Sequence, residues 1–311
     1  MTLLRVLYTL GWIVLLVLAP LIALFSDKFG RWWKARRARW PEPPQDRVVL
    51  WMHCASAGEF EQGRPILEYI ARQLRPHPYI VVTFFSPSGW ERYRQSYAVA
   101  DWMGPLPMDL PWVMKRWLTT MRPSAVFFVR YDLWPNLLHL LGERRIPTFL
   151  LSAHVCPYEG LRWAWQRALL RCFTHIFVQT GEDLTFLQRE GFYAVTLAGD
   201  SRSLRVKQIR EQWIPISGIQ EWVGARFCVV AGSVWTEDIR FLARAYAHLR
   251  GLDIRWILVP HEVRPRMLEQ IQQVWPVSIT LYSQSEWPER SNTLVIDTMG
   301  LLAHLYAYAH V

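Results

Sequence analysis

One stretch constrains the fold more than any other: VVLWMHCASAGEFEQGR, residues 48–64, an apolar run that ends in small residues and gives way to a helical pattern. Val48, Val49, Leu50 and Trp51 show no polar alternation, so they read as a strand buried on both faces, the habit of parallel sheets. Ala55, Ser56, Ala57 and Gly58 are too slight for core and let another group approach the backbone. From Phe60 onward Ile66, Leu67, Ile70 and Leu74 return at helical spacing, which puts Glu59 at a strand-to-helix turn. In open α/β sheets ligands bind at that edge. Glu59 then has two readings: a solvated acid favoured in a first helical turn by the helix dipole, or one member of a catalytic set, which requires further charged groups beside it.

The same grammar recurs along the chain. YIVVTFF at residues 79–85 is a second strand, closed by Ser86-Pro87-Ser88-Gly89. Residues 125–129 form a third and lead into Arg130-Tyr131-Asp132-Leu133-Trp134-Pro135, with Pro135 suited to a first helical turn. Residues 148–152 and 176–179 supply two more, and Ala198-Gly199-Asp200-Ser201-Arg202 closes a first domain over residues 45–205. Residues 206–224 are polar, carry Pro215 and Gly218, and read as a linker. A second domain, residues 225–311, repeats the pattern with strands at 227–231, 256–260, 277–281 and 294–297. Gly232-Ser233 ends the first of these, and Thr236-Glu237-Asp238 starts a helix whose N-terminus would be offered to a phosphate. The expected class is α/β, two Rossmann-like domains of the GT-B glycosyltransferase type facing each other across a cleft, without the DxD motif of metal-dependent enzymes.

Residues 6–25 contain no charge, and 20 such residues are enough for a helix to cross a bilayer or lie partly embedded in one. Arg31, Lys34, Arg36, Arg37 and Arg39 follow, against Arg5 alone ahead, which places the rest of the chain in the cytoplasm. A cleaved signal peptide would carry its charge on the other flank and small residues after the apolar run. Residues 1–40 are therefore expected to be a retained anchor, with Pro20 a potential kink and a basic, Trp-rich segment resting on anionic inner-membrane lipid. The net charge of +9 points to an anionic partner. The four cysteines, Cys54, Cys156, Cys172 and Cys228, have no CxxC spacing, so neither a disulfide framework nor a zinc site is indicated.

The chain resembles the Kdo (3-deoxy-D-manno-octulosonic acid) transferases of Gram-negative bacteria. The likeness is carried by WMHCASAGE at 51–59, FFSPSG at 84–89, DLWPN at 132–136, FVQTGED at 177–183, AGD at 198–200, AGSVWTED at 231–238, VPHE at 259–262 and DTMGLLAHLYAYA at 297–309. The resemblance implies transfer of Kdo from CMP-Kdo to the lipid A precursor (lipid IVA) with inversion, no metal or other cofactor, and Glu59 as general base, with Ser56 and Gly58 in the same motif. It further implies CMP recognition by Pro260, His261, Met299, Gly300 and Leu301, to which the Gly232-Ser233 turn, read from its place between strand and helix, would add backbone N–H groups for the phosphate. His261 replaces the usual arginine, and a neutral imidazole offers one donor where guanidinium offers a charged fork.

Other departures matter. The family often carries an acid two residues before the acid that is Asp132 here, and this chain has Arg130, so that position's role in stabilising the transition state does not carry over. Arg202 is matched to the cation that usually follows the AGD-like turn. Family members continue with a glycine-rich strand turn and an HNxLE motif, whereas this chain stops at Val311, so the second domain is expected to be incomplete. A UDP-sugar glycosyltransferase and an inactive membrane-associated binding protein of the same fold are the competing readings. Nucleic-acid binding is disfavoured: the arginines cluster beside the anchor, with no recognition helix or RNP-type aromatic pattern.

Overall fold

The computed structural model describes residues 2–37, 39–94, 97–130, 132–155, 160–211, 213–284 and 291–311. Two compact units are present, Met1–Arg205 and Val206–Val311. In the first, α1 (Thr2–Phe25) and α2 (Asp27–Ala35) precede a strand-helix alternation. It runs β1 (Val49–Cys54), α3 (Ala57–Gln73), β2 (Tyr79–Phe84), α4 (Pro87–Tyr93), β3 (Trp102–Pro105), α5 (Pro111–Met121) and β4 (Ala125–Val129). It continues with α6 (Pro135–Glu143), β5 (Thr148–Ala153), α7 (Gly160–Leu170), β6 (His175–Val178), α8 (Gly181–Arg189) and β7 (Val195–Leu197). The sheet is parallel, in the order β3-β2-β1-β4-β5-β6-β7.

Both faces of this sheet are covered, which is why its central strands lack polar alternation. Trp51, Val81, Val126, Phe128 and Leu150 face one side and pack with Met114 and Trp117 of α5 and Leu137 and Leu141 of α6. Leu50, Met52, Ile80, Val82 and Val129 face the other and pack with Phe60 and Leu67 of α3 and Tyr93 of α4. The sequence reading passes over two edge strands. β3 is only four residues long and ends in Gly104-Pro105, which reads as a turn, while β7 exposes two of its three residues.

The linker expected over residues 206–224 is not what the structure shows. Helix α9 (Arg202–Glu211) runs into it, and α10 (Ile219–Val223) follows. Ile216, Ile219, Trp222 and Val223 are buried with Cys228 and Val230 of the second unit. These four fall at helical spacing, and Pro215 and Gly218 disguised them; Gly218 serves as the left-handed N-cap of α10, φ 80°.

The second unit contains β8 (Phe227–Val234), α11 (Thr236–His248), β9 (Ile254–Pro260), α12 (Pro265–Val274), β10 (Thr280–Leu281), β11 (Thr293–Val295) and α13 (Leu302–Leu305). Its sheet is also parallel, in the order β10-β11-β9-β8. Both units thus have the Rossmann-like α/β construction expected of a GT-B chain. Helix α1 continues through Pro20. Among the described cysteines, Cys54, Cys172 and Cys228 are free; Cys156 lies outside the described residues.

Candidate active site

The first sheet changes winding direction between β1 and β4: the chain steps outward from β1 through β2 to β3, then returns to β4 and steps outward the other way to β7. A crevice at the carboxyl ends of the strands follows from that topology. Glu59, after β1, and Arg130 and Asp132, after β4, all stand at it.

Ser56 caps α3, its Oγ accepting the Glu59 N–H at 3.4 Å. Glu59 answers by accepting the Ala55 N–H with Oε2, so cap and carboxylate hold each other against the end of β1. The helix itself cannot drift. A Cβ on Gly63 would come within 2.7 Å of the Met52 sulfur and 2.9 Å of Val129 Cγ2, so α3 lies hard on β1 and β4 at that turn. Gly58, by contrast, has only Ser56 Oγ near its missing Cβ, at 3.9 Å.

Glu59 is not the solvated first-turn acid of the simpler reading. Burial raises its carboxyl from the ordinary value to about 7, and the charge of Asp132 adds to the rise. The Ala55 and Ser56 N–H groups and the Arg130 charge pull it down without cancelling the other two. Cys54, next to it in the chain, has its thiol pushed well up by burial and then by Glu59 and Asp132, which disfavours a thiolate nucleophile there.

Behind Asp132 lies a buried polar chain. Asp132 Oδ2 is 2.9 Å from Nε2 of His53, a fully buried residue of β1. The Trp134 indole N–H donates to the same nitrogen at 2.9 Å. His53 Nδ1 faces Thr83 Oγ1 at 2.9 Å, and the Trp51 indole N–H also donates to Thr83 Oγ1, at 2.8 Å. Nε2 has a single in-plane position and two neighbours competing for it. A ring unprotonated there accepts from Trp134, whereas a ring carrying hydrogen there donates to Asp132. Sequence reasoning missed His53, Thr83 and Trp134, although a histidine and a threonine inside otherwise apolar strands are a legible signal of buried hydrogen bonding.

Arg130 leaves β4 in the left-handed region, φ 68°, conformationally costly for a non-glycine residue and concentrated at functional sites. Its charge lowers the carboxyls of both Glu59 and Asp200. Arg202 is bound to Asp200, Nε to Oδ2 at 2.7 Å and Nη2 to Oδ2 at 2.5 Å, and this bond is the main cause of Asp200's lowered pKa. Arg130 therefore belongs to the set around Glu59, while Arg202 is held in a local pair.

In the second unit the expected nucleotide residues gather at the carboxyl edge of β8, β9 and β11, which are neighbours in the sheet. Ser233, φ 59°, places Oγ 2.7 Å from His261 Nδ1. Trp235, about half exposed, stacks on the His261 ring with centroids 4.1 Å apart. Pro260 closes β9 against Val234. After β11, Met299 is exposed, Gly300 has φ 96°, and Leu301 is the N-cap of α13, partly buried on the core. Gly232 is small for an internal reason: a Cβ there would lie 2.2 Å from the Tyr306 hydroxyl. The N-terminus of α11 is partly occupied, because the Asp238 carboxylate accepts the Trp235 N–H at 2.8 Å. Trp235 was not anticipated; an exposed tryptophan just before a helix was its only signal.

The profile of a family described as 3-deoxy-D-manno-octulosonic-acid transferase (kdotransferase) matches residues 31–204. The 3-deoxy-D-manno-octulosonic acid transferase of Aquifex aeolicus is 26% identical over 261 residues, covering 83% of this chain and 66% of that relative. Those of Chlamydia muridarum and Bordetella pertussis are 25% and 26% identical, covering 92% and 94% of this chain and 69% and 74% of the relatives. The chain thus spans about two thirds of the length of the Aquifex relative. Among solved structures, the UDP-GlcNAc 2-epimerase of Neisseria meningitidis bound to UDP-GlcNAc aligns with a TM-score of 0.55 at 13% identity, over 85% of this chain and 76% of that one. An S. aureus MnaA-UDP co-structure aligns at 0.57 and 11%, over 85% and 73%. At such identities the likeness is one of fold.

Proposed function

This chain belongs to the 3-deoxy-D-manno-octulosonic-acid (Kdo) transferase family, and on that footing we propose that it transfers Kdo from CMP-Kdo to the lipid A precursor, with Glu59 as general base. The observation that carries the role of Glu59 is its place at the winding switch of the first sheet beside Asp132 and Arg130, where burial raises its carboxyl to about 7. A base is most effective when its pKa lies near the working pH. The N–H groups of Ala55 and Ser56 do not by themselves compete with this role, since a carboxylate has about four acceptor positions and two donors do not fill them.

In the reaction an acceptor hydroxyl of the phosphorylated disaccharide loses its proton to Glu59 as its oxygen bonds to the anomeric carbon of Kdo. The bond from that carbon to the phosphate oxygen breaks on the opposite face, and CMP leaves with the electron pair. Arg130 is the cation beside Glu59, and the residues expected to read CMP line one sheet edge of the second unit. No metal enters this reading. Helix α1 is apolar and long enough to anchor the chain in a membrane; the proposal places it on the cytoplasmic side of the inner membrane, where acceptor and anionic lipid are found.

Glu59→Gln in the full-length protein tests the reading. Transfer is expected to fall by about two to four orders of magnitude, with the Kd for CMP, measured by calorimetry, unchanged within about twofold. Transfer at the wild-type rate would remove Glu59 from the role of base, and turnover of UDP-sugars in place of CMP-Kdo would replace the donor.

A further inference from the structure

Helix α1 has two faces that composition alone hides. Leu3, Leu7, Leu10, Val14, Val17, Leu21 and Leu24 form a single aliphatic stripe at three- and four-residue spacing, and all are exposed, Val17 at 73% and Leu24 at 79%. The opposite face is engaged with the first unit along its length. Asn136 Nδ2 donates to Thr9 Oγ1 at 3.0 Å. Trp12 packs on Trp134, centroids 6.4 Å apart, and stacks with Trp32 of α2 at 6.2 Å. Ala19 is wholly buried, and Ala23 lies against Gly30 of α2. Trp32 in turn packs on Phe85 at 5.7 Å. The helix is seated on the domain at Thr9 and Trp12 and on α2 at Trp12 and Ala23.

These contacts fix where charge falls beside the helix. Trp12 lies near the midpoint of α1, and the Trp32 ring stacks on it. Arg31 and Lys34, both exposed, lie within one turn of Trp32. Were α1 to stand along the membrane normal, Thr9 and Trp12 would lie inside the hydrocarbon core, and the polar domain surface docked on them would be drawn in with them. The docked α6 would follow with Asn136 and the buried carboxylate of Asp109, which accepts the Asn136 and Leu137 N–H groups at 3.0 and 2.8 Å. Laid flat, the helix keeps the docked domain out of the hydrocarbon core. Its aliphatic stripe enters the acyl region while Arg31, Lys34, Arg37 and Arg39 remain level with anionic headgroups.

We infer that α1 lies in the plane of the membrane, its Leu3-to-Leu24 stripe sunk in one leaflet of an anionic bilayer and its Thr9–Trp12 face forming part of the domain. The inference rests on the reading that this helix meets lipid, and goes beyond it in assigning a topology. The docked face reaches the candidate site directly, because Trp134, against which Trp12 packs, is the residue whose indole bonds His53.

The test is a depth profile of the whole chain reconstituted in phosphatidylglycerol-containing vesicles. Environment-sensitive labels are placed on single cysteines at Leu3, Leu10, Val17 and Leu24, with the native cysteines changed to alanine, and lipids carry quenchers at shallow or deep positions. The expected result is a similar depth for all four labels, about 5–10 Å below the headgroup boundary. A profile deepest at Leu10 and Val17, about 10 Å below labels at the ends, would overturn it. Membrane-impermeant maleimide provides a second measurement that leaves the native cysteines in place: over the background of the parent chain, a cysteine appended ahead of Met1 and Asp46→Cys are expected to react from the same side of the bilayer. Reaction from opposite sides would overturn the inference. So would labels shielded from every lipid quencher while cross-linking to a second copy. Labels fully open to water would instead remove the membrane reading itself, without touching Glu59.

Discussion

A carboxylate that is to accept a proton near neutrality must be uncomfortable as an anion yet open on one side. Glu59 meets both conditions through particular neighbours: burial and Asp132 raise its carboxyl to about 7, and Arg130 limits the rise. Activity that depends on the ionised base climbs with pH through that value and is lost below it. The neighbours then predict opposite displacements. Asp132→Asn removes a raising charge and should carry the inflection of the kcat/KM profile to lower pH by about 0.5–1 unit; Arg130→Ala removes a lowering charge and should carry it upward by a similar amount. Displacement of both profiles in one direction would mean that the inflection does not report Glu59. At this scale Glu59 itself was legible, being an acid at a strand-to-helix turn. Its partners were not, since nothing local in DLWPN announces that Asp132 returns to His53, 79 residues earlier.

Among the strands, legibility followed burial and length. The central strands of the first sheet announced themselves because both their faces are covered, whereas β3 and β7 are too short to carry a pattern. The two faces of α1 were illegible for a different reason. In a helix apolar all round, periodicity carries no information about which side is packed. Coordinates supply that side, and with it a prediction. Trp12→Ala should cost about 1–2 kcal/mol and lower the thermal unfolding midpoint in detergent by about 2–4 °C. Leu10→Ala, on the same helix but facing outward, should leave the midpoint in place. Equal losses from the two would show that the Trp12 face is not docked in solution.

The molecule as a whole carries a formal +9, with Arg31, Lys34, Arg37 and Arg39 in or just after α2. Electrostatic attraction to lipid is screened by salt, while burial of an aliphatic stripe is not. Co-sedimentation with phosphatidylglycerol vesicles should therefore weaken several-fold between 0.05 and 0.5 M salt, on the order expected for a few screened cations, and a remainder should persist on uncharged vesicles. Complete release at high salt would mean that the stripe does not enter the bilayer. From the sequence alone came the parallel α/β class, the apolar N-terminal helix, the family motifs and Glu59, because each is written in neighbouring residues as burial period, length or small-residue turns. Tertiary structure alone decided that burial, Asp132 and Arg130 together set the Glu59 carboxyl, that His53 stands behind them, and which face of α1 is docked. Those facts depend on residues far apart in the chain meeting at a sheet edge, and local spacing does not encode which distant groups will share it.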